Sequence, residues 1–453
     1  MVRSLPLVGS IISVLAGPTV VLAQGGAAED PLLAPPPPAP RLVSSWSEVR
    51  GLLAHATSTR RVIARRDRAR AEQGLARAGL HPRASATAGL TGDLLHPDRA
   101  PGVAPVSDVE PTAPLLTVAL GASWPLLDGA ARRRRAAADA SARGADLDVV
   151  DTERALVAGA ARALLAVRAA IRASDLHRLG LRQAQERAAL VARTFQLGAA
   201  TELDVVRTAQ DVALARSAVI AGDEVLRAAR EDLGLVLAIG GEVGLAGTLA
   251  GPEHEAGADL LAQITDHCRP LAAGELRADR ARARAEVAAA QAEHAAARAQ
   301  AWPTLELASG VSAYSARPAP GHVPAWTLGL VVRVPLWEGG ARAAAIELRA
   351  AGVAEAEAAR DELDRVASVD AQRARRGDAV ARALVASARD ARGYAQRVDG
   401  MIRRAFEIGR ATSLELVQSA SALRQAELAL AGREVDQEAA AIEARLAEAR
   451  CAP

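Results

Sequence analysis

The feature that most constrains this chain is an internal repeat whose offset is about half the chain length. Residues 124–132 (Trp-Pro-Leu-Leu-Asp-Gly-Ala-Ala-Arg) correspond to residues 334–342 (Val-Pro-Leu-Trp-Glu-Gly-Gly-Ala-Arg), 210 positions later. Residues 195–198 (Phe-Gln-Leu-Gly) correspond to residues 406–409 (Phe-Glu-Ile-Gly), 211 positions later. Several landmarks that recur in the same order at one offset indicate a duplicated architecture. The fold must therefore contain two similar halves.

Each half has the same predicted order of elements, helix–strand–strand–helix–helix, so the fold class is mainly α with β. The fourth element of each half is a helical segment long enough to span about 100 Å at 1.5 Å per residue. The predicted helices cover residues 47–79, 129–197, 260–301 and 340–408, and the predicted strands cover residues 84–91, 115–124, 304–314 and 325–334.

The last helix of each half carries apolar residues at intervals of seven. This spacing is typical of helices that pack as left-handed coiled coils, here as antiparallel hairpins. The residues are Val205, Val212, Val219, Leu226 and Leu233 in the first half, and Leu416, Leu423 and Leu430 in the second.

The few aromatic residues favour strands that cross a membrane. Aromatics make up only 2% of the chain, yet Trp124, Trp302, Trp326, Trp337 and Tyr314 all lie in or beside the four predicted strands. Membrane β-barrels place aromatic residues at both interfaces. Four strands cannot close a barrel, and open edges are not tolerated in lipid, so closure requires several copies. Three copies would supply about twelve strands.

The N-terminus resembles an export signal. An apolar stretch follows Arg3, and small residues precede a predicted cleavage site after Ala23, so residues 1–23 are predicted to be a signal peptide. The alternative is a transmembrane anchor, which tolerates the Gly and Pro residues of this stretch poorly. The predicted domain boundaries are then a Pro-rich linker at 24–45, a first repeat at 46–240, an inter-repeat segment at 241–259 and a second repeat at 260–453.

Several classes of function are disfavoured by composition and motifs. A net charge of +2 argues against a strongly basic nucleic-acid-binding protein. Two cysteines are too few for a zinc cluster or a disulfide scaffold. The sequence has no nucleophile elbow, phosphate-binding loop, metalloprotease motif or dinucleotide fingerprint. We therefore expect no enzyme, no cofactor, no metal site and no nucleic-acid partner.

From about residue 43 to residue 450, the order and spacing of these motifs resemble the TolC-type outer-membrane efflux channels. The resemblance rests on the duplicated halves, the Pro-led strands, the Pro-Leu-Trp-Glu-Gly-Gly sequence at 335–340 and the Gly at each helix hairpin. It implies a homotrimer with a 12-stranded β-barrel in outer-membrane lipid, continued by an α-helical barrel in the periplasm. The inter-repeat segment would join an equatorial belt around the helices.

The resemblance also assigns roles to the turns between the hairpin helices. Leu197 and Gly198 in the first half, and Ile408 and Gly409 in the second, would form the periplasmic tips that dock a periplasmic adaptor (membrane fusion) protein. The alternative for each Gly is a simple helix C-cap.

Acidic residues follow both tips at matching positions. In the family such acids surround the closed pore, which implies a periplasmic gate at Asp204 and Glu415. Arg207 and Gln418, one helical step further on, would pair with these acids or face the lumen. For Arg207 and Gln418 the alternative is a solvated helix face.

The function implied is an outer-membrane exit channel of a tripartite efflux or type I secretion system. Such a channel is a passive conduit, joined through the adaptor to an inner-membrane transporter that supplies the energy. The alternative is a non-pore periplasmic coiled-coil structural protein, which accounts for the helices but leaves the strands unexplained.

Overall fold

The computed structural model describes residues 30–92, 110–250, 253–317 and 325–451. The predicted signal peptide and residues 24–29 of the predicted linker lie outside these ranges. In the first half a short 3₁₀ helix at Pro31–Leu33 precedes the following elements: β1 (Arg41–Val43), α1 (Trp46–Ala54), α2 (Thr57–Ala78), β2 (Arg83–Thr91), β3 (Glu110–Pro111), β4 (Leu115–Leu127), α3 (Gly129–Gln196) and α4 (Glu202–Val236).

The second half repeats this order and adds elements at both of its ends. They are β5 (Val243–Leu245), a 3₁₀ helix (Gly247–Ala250), α5 (Glu253–His267), β6 (Cys268–Pro270), α6 (Ala278–Ala299), β7 (Thr304–Tyr314), β8 (Ala316–Arg317), β9 (Ala325–Arg333), α7 (Ala341–Glu407), α8 (Ser413–Leu446) and β10 (Ala449–Cys451). The four long predicted strands and the two long predicted helices are all present, with ends within three residues of those predicted.

The single helix predicted at residues 47–79 is wrong, because the chain breaks between α1 and α2. The hydroxyl of Thr59 donates to the carbonyl of Leu53 at 2.7 Å, which satisfies an acceptor at the end of α1. Ala56 is extended before α2 and provides no side-chain cap. The Thr-Ser-Thr run at 57–59 competes with the helix for backbone hydrogen bonds.

The helix predicted at residues 260–301 is also wrong across its middle, where β6 and a turn separate α5 from α6. Pro270 cannot continue a helix, and Gly274 adopts a positive φ of 81°. β6 instead pairs antiparallel with β10, the last strand of the chain. Cys268 and Cys451 are opposite each other in this pair and form a disulfide, which the sequence analysis did not predict.

The main sheet is antiparallel with the strand order β2-β4-β7-β9. Alternation along the strands gives it two different faces. One row across β4, β7 and β9 is apolar, with Leu120 beside Val311 and Val311 beside Trp326. On the other face the residues are mainly small or polar, including Ser85, Thr87, Thr117, Ser123, Glu306, Ser312 and Thr327.

The outermost strands, β2 and β9, each pair on only one side within the described chain. All nine residues of β9 are exposed, as are all residues of β2 except Gly89. The sheet therefore ends in two long edges whose backbone groups have no partner strand in this copy.

The main hydrophobic core lies far from this sheet, where the two repeats meet. It combines the middle of α3 with the ends of α4 and α8, and includes Val157, Leu164, Leu233 and Leu446. Trp46 of α1 is buried in the same core. The parallel pair β1–β5 and the antiparallel pair β6–β10 lie against it. The core thus holds the repeats together at the level of the inter-repeat segment.

The Pro-rich segment preceding β1 is bound to the first helical hairpin. The guanidinium of Arg178 donates to the carbonyl of Ala34 at 2.7 Å, and that of Arg230 donates to the carbonyl of Pro37 at 2.9 Å. Leu32 and Leu33 pack on a small apolar cluster between α3 and α4. Residues 30–43 therefore form an ordered segment against the first repeat.

Candidate functional site: the paired hairpin tips

The two hairpin turns have the same backbone structure. Gly198 has a φ of 76° and Gly409 a φ of 74°, both in the left-handed region. At the first turn the amides of Gly198 and Ala199 donate to the carbonyls of Phe195 and Thr194. The second turn repeats both bonds, from Gly409 to Phe406 and from Arg410 to Ala405. This is the Schellman motif, in which a Gly at C′ satisfies the final carbonyls of a helix.

The next helix begins in the same way in each half, with a capping box. The hydroxyl of Thr201 accepts from the amide of Asp204 at 3.3 Å, and the carboxylate of Asp204 accepts from the amide of Thr201 at 2.9 Å. Thr412 and Glu415 make the equivalent bonds at 3.2 and 2.8 Å. The two predicted gate acids therefore each hold the first turn of a helix, because they satisfy amides that have no partner within it.

Asp204 also connects the two hairpins. Its Oδ1 accepts a hydrogen bond from the hydroxyl of Ser413, the first residue of α8. Arg207 lies 4.0 Å from the same oxygen. The Ser413 hydroxyl is the main cause of a lowered pKa at Asp204, and the Thr201 hydroxyl and amide lower it further. The carboxylate is held in its charged form between α4 and α8.

Glu415 does not make the corresponding connection. Its described hydrogen bonds are with Thr412, whose amide and hydroxyl lower the pKa of the carboxyl. Gln418 is exposed one turn later and is not among these partners. The structure thus brings Asp204, Arg207 and α8 together, and leaves Glu415 and Gln418 on the surface of this copy.

The surface around the turns is apolar. Leu197 is 75% exposed and Ile408 is 68% exposed, although both lie beside a tight turn where polar residues are usual. Further exposed apolar side chains surround them: Phe195, Leu203, Val206 and Leu414. Grouped exposed apolar residues of this kind mark surfaces that contact another molecule.

A buried charge cluster above the tips was missed by the sequence analysis. Asp211 of α4 accepts from Arg187 of α3 at 2.6 Å and from Arg424 of α8 at 3.0 Å. The side chain of Asp211 is 3% exposed and that of Arg187 is 5% exposed. Because three helices from both repeats contribute, the cluster fixes the first hairpin against the second.

The sequence does contain a signal for this cluster. Asp211 lies three residues after Thr208 and four before Ala215, on the stripe of α4 that continues through Val219 and Leu226. A charged residue on the apolar stripe of a helix requires a buried partner. The seven-residue apolar spacing includes the neighbouring residue, Val212, and therefore gives no indication of Asp211.

Among the described residues no group of His, Cys, Asp and Glu is arranged to hold a metal ion. No helix in the described part of the chain combines the length and apolarity needed to cross a membrane.

Comparison with known proteins adds independent information. The family model for outer membrane efflux proteins matches residues 50–239. No curated protein matches the sequence. The structure is similar to that of CusC, a protein that undergoes conformational changes accompanying folding and transmembrane channel formation, with a TM-score of 0.73 and 17% identity over 90% of this chain and 92% of that chain.

Two further solved structures are similar over most of their length. The Vibrio cholerae outer membrane protein VceC has a TM-score of 0.72 and 15% identity, covering 89% of this chain and 96% of that one. The Neisseria gonorrhoeae outer membrane channel MtrE, in its open state, has a TM-score of 0.70 and 17% identity, covering 88% of each chain. At these identities the likeness establishes a shared fold.

Proposed function

We propose that this chain is an outer-membrane exit channel, a proposal supported by the outer membrane efflux protein model that matches residues 50–239. The channel is a homotrimer and a passive conduit of a tripartite efflux or type I secretion system. An inner-membrane transporter supplies the energy and a periplasmic adaptor joins the two.

The observation that carries this proposal is the main sheet. One face presents apolar side chains and the other presents small and polar ones, as in a barrel with lipid outside and water inside. Among the described residues, each edge strand pairs on one side only. Unpaired edges cannot remain in lipid, so β9 of one copy pairs with β2 of the next until the ring closes. Three copies give about twelve strands, within the range of known membrane barrels.

The aromatic residues support the same placement. Trp124, Trp302 and Trp337 lie at the helix-side end of the sheet, whereas Trp326 and Tyr314 lie at the far end. Trp302 precedes β7 and Tyr314 ends it, and the 11 residues of this strand are close to the length of a tilted strand that crosses a bilayer. The two aromatic groups fit the two interfaces of an outer membrane.

The helices leave matching sides uncovered. Contacts join α4 to α3, α3 to α8 and α8 to α7, so that α4 and α7 lie on opposite sides of the helical layer. Both carry exposed apolar residues: Leu203, Val206, Leu214, Ile220 and Val225 on α4, and Val366, Val380, Leu384, Val398 and Met401 on α7. In the proposed ring, α7 of one copy lies beside α4 of the next, on the same side as the β9–β2 junction.

Two measurements together test the proposed channel: the mass of the purified particle and its conductance. Light scattering of detergent-purified protein is expected to give three chains per particle, and planar-bilayer recording is expected to give discrete openings. A stable monomer without conductance would contradict the proposal and favour a non-pore periplasmic coiled-coil protein, which makes no use of the amphipathic sheet.

We also propose that the tips dock the adaptor, a role supported by the exposed apolar side chains of Leu197 and Ile408 beside identical turns. The double variant Leu197→Glu with Ile408→Glu is expected to abolish export while trimers and conductance persist. Leu75→Glu is the control, because Leu75 is 74% exposed but lies on α2. Export by the tip variant at the control level would exclude tip docking.

The gate at Asp204, Arg207, Glu415 and Gln418 is a further proposal. Three copies would bring six carboxylates near the axis, where they attract cations. We expect Asp204→Asn with Glu415→Gln to reduce cation selectivity and divalent-cation block in planar bilayers. Glu231→Gln removes an exposed acid elsewhere on α4 and serves as control. Unchanged selectivity and block in the double variant would show that these acids do not line the constriction.

A further inference from the structure

The disulfide between Cys268 and Cys451 joins the only two cysteines of the chain. Both residues are fully buried and belong to the main hydrophobic core, together with Ile264, Ile442 and Leu446. The bridge spans 183 residues of sequence. It lies at the start of the second repeat and after its last helix, so that α6, β7, β9, α7 and α8 are all enclosed in one covalent loop.

The strand pair that carries the bridge is weak by itself. β6 and β10 have three residues each, and two-stranded sheets of any length are marginal in water. Arg269 and Arg450 are directly opposite in this pair, a like-charge arrangement that destabilises it. Glu275 offsets the repulsion, since it accepts from Arg269 at 2.8 Å and from Arg450 at 3.1 Å.

The burial of the sulfurs constrains when the bond can form. Thiol–disulfide exchange requires a thiolate to attack a disulfide sulfur in line, which demands access to both reacting sulfurs. In the folded chain neither sulfur is accessible. An oxidant must therefore act on a state in which β10 has not yet packed into the core, and a reductant can act only when that state forms again.

We propose that this chain is a substrate of a thiol–disulfide exchange protein of the cell envelope, which oxidises Cys268 and Cys451 before the core closes over them. The attacking cysteine forms a mixed disulfide with the oxidant, and the second cysteine displaces it. Two thiols lose two protons and two electrons, and the disulfide of the oxidant is reduced to two thiols. The completed bridge fixes β10 against α3 and the core, and burial then protects it from reduction. This inference rests on the envelope placement and the trimer of the proposed function, but not on whether the trimer conducts.

The first test uses the wild-type protein purified without reductant. When it is denatured without reductant, no maleimide-polyethylene glycol is expected to attach to it. When it is denatured with dithiothreitol, two are expected to attach, one at each cysteine. Native protein is expected to react with dithiothreitol at least about a hundredfold more slowly than denatured protein, because reduction must wait for opening of the core. Two free thiols without reductant, or equal reduction rates in both states, would overturn the proposal.

The second test asks whether oxidation is needed for assembly. In cells that lack the dithiol oxidase of the envelope, the chain is expected to accumulate reduced, with at least about a tenfold lower trimer yield. Added cystine is expected to restore both the disulfide and the trimer yield. Glu275→Gln is the matched control, since it weakens the same strand pair and leaves both thiols in place. Full trimer yield from a chain shown to be reduced would contradict the proposal, as would full yield from Cys268→Ser with Cys451→Ser.

Discussion

The first and second helical hairpins start from nearly the same local sequence and end in different packing. Their turns share the Schellman bonds and the capping boxes. Yet α3 buries twenty-two of its 68 residues, whereas α7 buries four of its 67. α3 lies against α2, α4, α6 and α8, while the main contacts of α7 are with α6 and α8.

This difference distinguishes structure that is set by local hydrogen bonds from structure that is set by tertiary packing. Turns and caps depend on hydrogen bonds within a few residues, so the same short sequence gives the same geometry in both halves. Burial depends on which other elements pack against each helix. Residues 30–43 and the main hydrophobic core pack against the first hairpin, whereas α7 retains an uncovered apolar side.

The largest expected effect concerns the buried charges. Asp211→Ala removes the shared partner of Arg187 and Arg424 and leaves a buried guanidinium unpaired, so we expect the free energy of unfolding to fall by about 3–5 kcal/mol. Asp399→Ala in the second hairpin is the comparison. Asp399 accepts from Ser419, and its charged neighbour Arg403 is half exposed and can be hydrated, so a loss of about 1–2 kcal/mol is expected.

Denaturant unfolding of both variants measures this difference. Arg68→Ala, which removes an exposed ion pair on α2, is the control and should change stability by less than about 0.5 kcal/mol. Equal losses for Asp211→Ala and Asp399→Ala would mean that the first hairpin is not the more firmly packed of the two.

A second, smaller effect is expected where residues 30–43 contact the first hairpin. Asp30 accepts from Gln185 at 2.8 Å and from Arg216 at 2.9 Å, and its side chain is 9% exposed. We expect Asp30→Ala to cost about 1–2 kcal/mol. In the second hairpin an ion pair between the half-exposed Arg389 and Glu434 joins α7 to α8, and Glu434→Ala is expected to cost less than about 1 kcal/mol. Thermal unfolding midpoints of the two variants test the order.

The sequence predicts the local part of this molecule well. The repeat offset and the alternation of the strands place β7 at the observed residues, and the Asp-Gly and Gly-Gly turns mark the starts of α3 and α7. The predictions fail at residues 55–56 and 268–277. At the first break the hydroxyl of Thr59 bonds the carbonyl of Leu53, and at the second β6 pairs with β10. Both interactions override helix propensity.

The candidate site also contains local features that the sequence predicts and long-range features that it does not. The paired glycines and acids at the tips were found from sequence because their spacing recurs. The Asp211 cluster depends on α3, α4 and α8 coming together, and the Cys268–Cys451 bridge on residues 183 positions apart. The sequence marks Asp211 as a charge on an apolar stripe but does not identify its partners, and it has no short pattern for the bridge, so only the packed structure reveals both pairings.

The tip glycines provide a test in which both repeats should respond equally. An added Cβ would contact nothing within 4 Å at Gly198 or Gly409, so only the positive φ opposes a side chain. Gly198→Ala and Gly409→Ala are each expected to cost about 1 kcal/mol. Hydrogen exchange of the amides at each tip measures the local loss. Costs that differ by more than about twofold would mean that packing, rather than local geometry, determines the two turns.

The smallest expected effect distinguishes Asp204 from Glu415, which the local motifs make equivalent. Ser413 donates to Asp204 and lowers its pKa, so Ser413→Ala is expected to cost about 1 kcal/mol at neutral pH. A carboxyl with a lowered folded-state pKa stabilises the protein above its unfolded pKa, and this contribution disappears as the pH falls through the folded value. The stability difference between wild type and Ser413→Ala should therefore be constant from pH 7 to about 5 and close below about pH 3.8.

Thermal unfolding midpoints across that pH range measure this stability difference. Ser217→Ala is the control, because the Ser217 hydroxyl bonds a carbonyl and its loss should not depend on pH. A stability difference that does not close as the carboxyl of Asp204 becomes protonated would mean that the Ser413 bond does not act through the charge of Asp204, and the two acids would then be equivalent after all.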